Sequence, residues 1–143
     1  MLRKMNYGLL VYKETDNIGD DIQSYAAEQF LPQTDCLVDR ESMHVFCPDE
    51  DEGQLTAVIM NAWFMYHKYN WPPSVYILPY FTAVHVSETD YYQIGEDFFN
   101  EQNTAYFQKY APVGCRDRHT LQMFAKKNIT AYFSGCLTLT LKK

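Results

Sequence analysis

No two glycines fall within five residues of each other in this chain: Gly8, Gly19, Gly53, Gly95, Gly114 and Gly135 all stand alone. Phosphate cradles need closely spaced glycines so that backbone amides can approach the anion, so neither a dinucleotide fingerprint nor a P-loop can be written into this sequence. Basic clusters are equally scarce. No run of cations is longer than Lys126-Lys127 or Lys142-Lys143, and 12 Lys+Arg against 18 Asp+Glu leave a net charge of −6. The positive footprint that a nucleic-acid backbone demands is missing, and nucleic acid is excluded as a partner. Long apolar runs are also absent. The best candidate, Val75 to Val86, is broken by Pro79 and His85 and is shorter than the roughly 18 residues of a membrane span. Cys36, Cys47, Cys115 and Cys136 show no Cys-x-x-Cys spacing. That argues against a metal site and for reduced, buried thiols. The amino-terminal apolar run ends at Tyr12 without a small-residue cleavage site, so a cytoplasmic location is expected.

What is present is one domain's length and an excess of rings. A chain of 143 residues is the usual size of a single domain, one that buries roughly 70% of its unfolded surface. Aromatic residues make up 16% of it, and they crowd into Ala62 to Phe81 with Trp63, Phe64, Tyr66, Tyr69, Trp71, Tyr76, Tyr80 and Phe81. Rings at this density read first as core or interdomain packing, and second as a surface on which sugar rings could lie.

Short apolar runs alternate with helical spacings. Met5 to Val11 predicts a strand buried on both faces. Ile22, Tyr25, Ala26 and Phe30 predict a helix, with Asp20 as N-cap partnered by Gln23 and Pro32 as the stop. Cys36 to Val38 is a second strand running into Asp39-Arg40-Glu41, which completes a right-handed βαβ unit. Leu55 to Met60 is a third strand. Pro79 forbids one continuous central strand, so Phe81 to Val86 is taken as the fourth. The acidic run Asp49 to Glu52 reads as a solvated turn, and Asp90 to Tyr110 as one or two helices. Val113 to Cys115 is a fifth strand, Asp117 caps a helix, Ile129 to Phe133 is a sixth strand, and Leu137 to Leu141 is a further strand or connector. The pattern predicts a single α/β domain over residues 1–143, a Rossmann-like sandwich with a mostly parallel sheet and helices on both faces.

In such sheets ligands bind beyond the carboxyl ends of the strands, so the residues just after each strand are the candidates. They are Asn17-Ile18-Gly19-Asp20-Asp21, Asp39-Arg40-Glu41, Asn61, His85, Arg116-Asp117 and Ser134-Gly135. Asp20 and Asp21 open a helix, where their charge disfavours phosphate and suits hydroxyl groups. Either carboxylate could take a proton from a hydroxyl, or Asp20 could simply cap its helix. His85 is a candidate acid or base. The guanidinium of Arg116 could hold a carboxylate or phosphate in a fork, or pair with Asp117 or Asp39. His44, His67 and His119 lack partners at any diagnostic spacing and are read as surface or structural residues.

Asn17-Ile18-Gly19-Asp20-Asp21-Ile22-Gln23-Ser24, Asp39-Arg40-Glu41, Met60-Asn61-Ala62-Trp63-Phe64, Asn70-Trp71-Pro72-Pro73, Pro112-Val113-Gly114-Cys115-Arg116-Asp117 and Ala131 to Thr140 occur in this order. Together they resemble the polysaccharide pyruvyl transferase family, from about residue 6 to residue 141. One departure is Ala62, where the family pattern has glycine. The resemblance implies one half of a GT-B-like fold, with the active site in a cleft between two Rossmann-like domains. It implies transfer of an enolpyruvyl group from phosphoenolpyruvate to two hydroxyls of a glycan acceptor, with no metal or redox cofactor. It also implies that this chain corresponds to the amino-terminal, acceptor-side half, and that a carboxyl-terminal donor-binding domain is missing from it. Asp20, His85 and Arg116 are then the candidate catalytic residues, and Asn17, Gly19, Asp21, Asn61 and Trp63 the candidate substrate-binding ones.

Such a transfer needs an acid for the methylene carbon, a base for the hydroxyl proton, and cations for the carboxylate and phosphate. A second reading is a carbohydrate-binding or interaction module without catalysis on the same scaffold, motivated by the rings of Ala62 to Phe81. A flavin or nucleotide protein is disfavoured because the first loop is acidic where Ser, Thr and Gly are wanted. The Leu137 to Leu141 segment reads as a sticky edge, and self-association into a homodimer is expected from it.

Overall fold

A computed structural model describes residues 5–48, 53–88 and 96–142. The acidic run at 49–52 and the start of the expected helical stretch, 90–95, lie outside the described residues. Among the described residues eight strands form: β1 (Asn6–Val11), β2 (Cys36–Asp39), β3 (Thr56–Ile59), β4 (Trp63–Phe64), β5 (Ile77–Tyr80), β6 (His85–Val86), β7 (Val113–Cys115) and β8 (Ala131–Phe133). The helices are α1 (Ile18–Glu28), α2 (Glu101–Lys109) and α3 (Arg118–Lys126). Short 3-10 segments occupy Arg40–Val45, Glu96–Phe99 and Leu137–Thr140.

Every pairing among these strands is parallel. One sheet runs β2-β1-β3-β5, and β4 pairs with β6 and β7 with β8. Backbone bonds stitch these together: Met60 N–H to Tyr80 C=O at 2.8 Å, His85 N–H to Ala62 C=O at 3.1 Å, and Val84 N–H to Gly114 C=O at 2.9 Å. The chain therefore steps outward from β1 in both directions, and β1 lies between β2 and β3, where the strand order reverses. α1 packs against β1, and α3 against β7 and β8. Burial separates two sets of apolar residues. Leu10, Val38, Val58 and Ile77 join Trp71, Phe98, Phe107 and Phe124 in one hydrophobic cluster, whereas the buried Leu9, Ala26 and Ala27 lie outside it.

The cluster is built from rings. Phe107 on α2 stacks on Trp71 at 5.1 Å and meets Phe124 of α3 edge-on at 4.8 Å, with Phe81 at 5.1 Å. The crowded aromatic segment is thus divided. Phe64, Trp71 and Phe81 are core; Trp63 and Tyr66 stand half-buried at the rim; Tyr69 and Tyr80 are exposed.

Several expectations need correction. Asp20 is not the N-cap of α1: Asn17 is, its side chain accepting from Gly19 N–H at 2.9 Å, and the helix begins two residues before Asp20. Pro79 does lie in a strand, paired opposite Val58. The carbonyls of Tyr76 and Tyr80 face β3, accepting from Thr56 and Met60. The ring nitrogen of Pro79 falls between them and points outward, where no ladder bond is required. Leu137–Thr140 is a 3-10 turn packed on α1, with Gln29 Nε2 donating to Thr140 Oγ1 at 2.8 Å, so it is not an open strand edge. Leu139 of this turn is exposed, and further exposed apolar side chains are spread over the surface, among them Tyr25 on α1, Leu37 on β2, Leu78 and Tyr80 on β5, and Tyr132 and Phe133 on β8. Among the described residues no helix is long and apolar enough to cross a membrane.

Candidate functional site

The carboxyl ends of β1, β2 and β3 meet at a buried guanidinium. Arg40, the residue after β2, is only 2% exposed. Its Nη1 pairs with Asp20 at 3.2 Å and its Nε with Glu41 at 3.3 Å. The plane is walled by rings, with Tyr12 at 4.2 Å, Trp63 at 5.3 Å and Tyr66 at 5.5 Å from the guanidinium carbon. These distances suit cation–π attraction, which is strongest where water is excluded. Glu41 is held in turn by the backbone N–H groups of Tyr66 and His67, at 2.9 and 3.1 Å. Asp20 also accepts from Thr15 Oγ1 at 2.7 Å. Burial and the charge of Glu41 push the Tyr12 phenol above its ordinary value, with Arg40 opposing them.

Asn61, 2% exposed at the end of β3, donates from Nδ2 to the Gln23 carbonyl at 2.9 Å, which ties the strand to α1. The Gln23 amide satisfies both its ends when its nitrogen faces the Asn61 carbonyl at 2.8 Å. Its oxygen then accepts from Arg116 Nη1 at 3.2 Å. Arg116 thereby joins the same rim, and it forms no ion pair with Asp117 or Asp39 among the described residues.

His85 stands one strand over, in register with Trp63. Its Nδ1 lies 2.5 Å from Asp117 Oδ2, and Thr120 Oγ1 is 3.4 Å away. Asp117 caps α3 as expected, its Oδ1 accepting from Thr120 N–H at 2.8 Å. Burial alone would raise the Asp117 carboxyl, but the bonds from His85 and Thr120 outweigh it and hold the group below the ordinary carboxylate range. The carboxylate fixes Nδ1, so the other ring nitrogen is the one that can take up a proton.

The polar strand ends therefore converge. Asp20, Asn61 and Trp63 surround Arg40, Arg116 is linked through Gln23, and His85 is adjacent through β4. Asn17 and Gly19 form the N-cap turn of α1, and Asp21 is exposed on its first turn. Sequence reasoning placed Arg40, Glu41 and Asp117 among the strand-end candidates without a role at the site, and missed Tyr12. The signal for Arg40 is its position directly after a strand; nothing local marks it as buried between two carboxylates. No group of three or more His, Cys, Asp or Glu among the described residues could hold a metal ion.

Fold and rim together describe a parallel α/β domain with a polar and aromatic site at the point where its strand order reverses, the usual location of a ligand in this architecture. Searches against family models, curated proteins and solved structures return no match.

Proposed function

We propose that the chain is the acceptor-side half of a pyruvyl transferase-like enzyme, working in a GT-B-like cleft with a donor-binding second domain. The reading rests on the ordered motifs of the sequence. What supports it is the pairing of His85 with Asp117 on the same rim as the Arg40 ring cage. His85 is the base in this scheme: with Nδ1 occupied by Asp117, its second nitrogen takes the proton of the first acceptor hydroxyl as that oxygen bonds to the enolpyruvyl carbon, while the methylene carbon gains a proton and becomes a methyl group. Asp20 is a poorer base, because its carboxylate is committed to Arg40 and Thr15, and its part is to hold the guanidinium. Arg116 is the cation at the rim; the phosphate leaves the same carbon as the second hydroxyl bonds to it and closes the ketal, and the released phosphate carries away that hydroxyl's proton.

The chain joined to the donor-binding domain of a pyruvyl transferase is expected to release phosphate from phosphoenolpyruvate in the presence of a glycan, and His85→Ala is expected to abolish that release. Phosphoenolpyruvate left intact across a broad glycan panel defeats the transferase reading. The alternative, a carbohydrate-binding module without catalysis, is favoured by one observation, the three rings around Arg40. It predicts glycan binding with no need for a second domain.

A further inference from the structure

One donor in the Arg40 cage is not accounted for. Nε and Nη1 have carboxylate partners, but Nη2 is buried and has no acceptor among the described residues. An unmet buried donor is expensive, the more so on a charged group. Arg40 belongs to the wall of a small cavity that Tyr12, Asp20, Gln23, Ser24 and Asn61 complete. The cavity leaves about 10 Å³ for the centre of a water-sized sphere, which is room for a single oxygen atom. The same wall holds an uncommitted acceptor: Asn61 uses Nδ2 on the Gln23 carbonyl, and its Oδ1 makes no bond among the described residues.

A donor and an acceptor around space for one oxygen define what fits. The occupant must accept one hydrogen bond and donate another, which a hydroxyl or a water does and an ionised phosphate or carboxylate oxygen does not. Charge points the same way. The guanidinium contributes +1 and its two carboxylates −2, so the trio carries +1 − 2 = −1, and an anion entering it would meet repulsion. Tyr12 lines the cavity and Trp63 follows Ala62 of its wall, and aromatic rings suit the body of a pyranose.

We propose that this cavity is a single-hydroxyl subsite. It holds a water in the unliganded protein and takes one neutral hydroxyl of a sugar, with Arg40 Nη2 donating to that oxygen and Asn61 Oδ1 accepting from it. The proposal rests on the glycan-acceptor reading for its choice of sugar as ligand, and it places the acceptor's anchoring hydroxyl between β1 and β3, apart from the His85 base.

The test is a titration of the ¹⁵N-labelled chain, following the Trp63 indole and the amides of Ser24 and Asn61. Methyl galactoside and inorganic phosphate are the separate probes. Methyl galactoside is expected to shift these signals and phosphate to leave them unchanged. Arg40→Lys keeps a cation against Asp20 and Glu41 but lacks the second donor arm, and is expected to weaken sugar binding about tenfold, roughly 1.4 kcal/mol. Asn61→Ala serves if the lysine variant fails to fold: with the acceptor gone, sugar binding is expected to weaken about tenfold while phosphate stays silent. The proposal is overturned if methyl galactoside leaves the signals in place, if phosphate competes with it in the parent chain, or if either Arg40→Lys or Asn61→Ala binds sugar undiminished. Loss of phosphate release in the joined enzyme would remove the transferase reading while leaving these shifts intact. Silence here beside intact phosphate release would remove the subsite alone.

Discussion

Replacing Asp117 separates two jobs that one carboxylate performs. Its Oδ1 caps α3, and its Oδ2 holds His85 Nδ1 and Thr120 Oγ1, the latter at 3.1 Å. Asn is as good an N-cap as Asp, so Asp117→Asn keeps the first job and loses the second. A hydrogen bond to a charged group contributes about 1.5–3 kcal/mol when buried. The two side chains here are 26% and 35% exposed, so screening reduces the expected loss to about 1 kcal/mol. Asp117→Ala loses the cap as well, about 1 kcal/mol more, for a total near 2 kcal/mol.

Acidity distinguishes the two losses further. A carboxyl held below its unfolded value stabilises the fold at pH values above the unfolded pKa of about 3.9, and this contribution disappears as pH falls through the lower native value. Urea unfolding should therefore show the parent and Asp117→Asn about 1 kcal/mol apart at neutral pH and converging in acid, below a pH of roughly 4. The gap between Asp117→Asn and Asp117→Ala, which comes from an uncharged cap, should persist. NMR of the His85 ring nitrogens adds a second reading, because an Asn amide placed to donate at Nδ1 moves the proton to Nε2. Equal damage from Asn and Ala, or a parent–Asn gap that does not change with pH, would refute the assignment of Asp117 as the group that orients His85.

Burial sets two further outcomes. Phe107 touches rings of three other segments of the core and is fully buried, so Phe107→Ala should cost about 3–5 kcal/mol in urea unfolding, against a usual total of about 5–15 kcal/mol; a loss under about 1 kcal/mol would mean the aromatic cluster is not the core. Burial pushes the Cys115 thiol up to about 12, with the Asp117 charge adding to it, whereas Cys47 is exposed. A thiol reagent at neutral pH should modify Cys47 rapidly and Cys115 only when the chain is unfolded, and rapid modification of Cys115 in the native state would contradict its placement in β7.

The elements most legible in the sequence are those in which local chemistry and tertiary context agree. Asp117 begins a helix because its side chain answers a backbone N–H three residues on, a rule that works within four residues. Val113 to Cys115 is legible because a short β-rich run between two helices has few alternatives. Asp20 fails as a cap because Asn17 offers the same acceptor earlier, and the helix takes the first one available. Pro79 misleads because a missing donor matters only on a side that needs one, and which side faces a neighbour is a property of the sheet. The polar residues at the strand ends make the rim itself legible. Its centre is not: arginine is rarely buried, and only the assembled fold brings Tyr12 from one segment and Trp63 and Tyr66 from another around Arg40.

The two charged devices on this rim obey opposite logic, and the difference argues for a division of labour. Arg40, Asp20 and Glu41 form a buried trio, and burying three charges is seldom the most stable solution, since apolar residues of similar volume often do as well or better. Stability therefore does not explain the trio, whereas a fixed donor at the wall of a one-oxygen cavity does give it a use. An arginine keeps its proton at any physiological pH, so this device can position a hydroxyl but cannot exchange a proton with it. His85 and Asp117 are partly exposed and joined by one short bond. Imidazole can give and take a proton near neutrality, and the carboxylate fixes which nitrogen does so. The β4–β6 pair sets Trp63, which faces the guanidinium, in register with His85, so on the proposed reading a hydroxyl would be held on one side of Trp63 and a proton moved on the other.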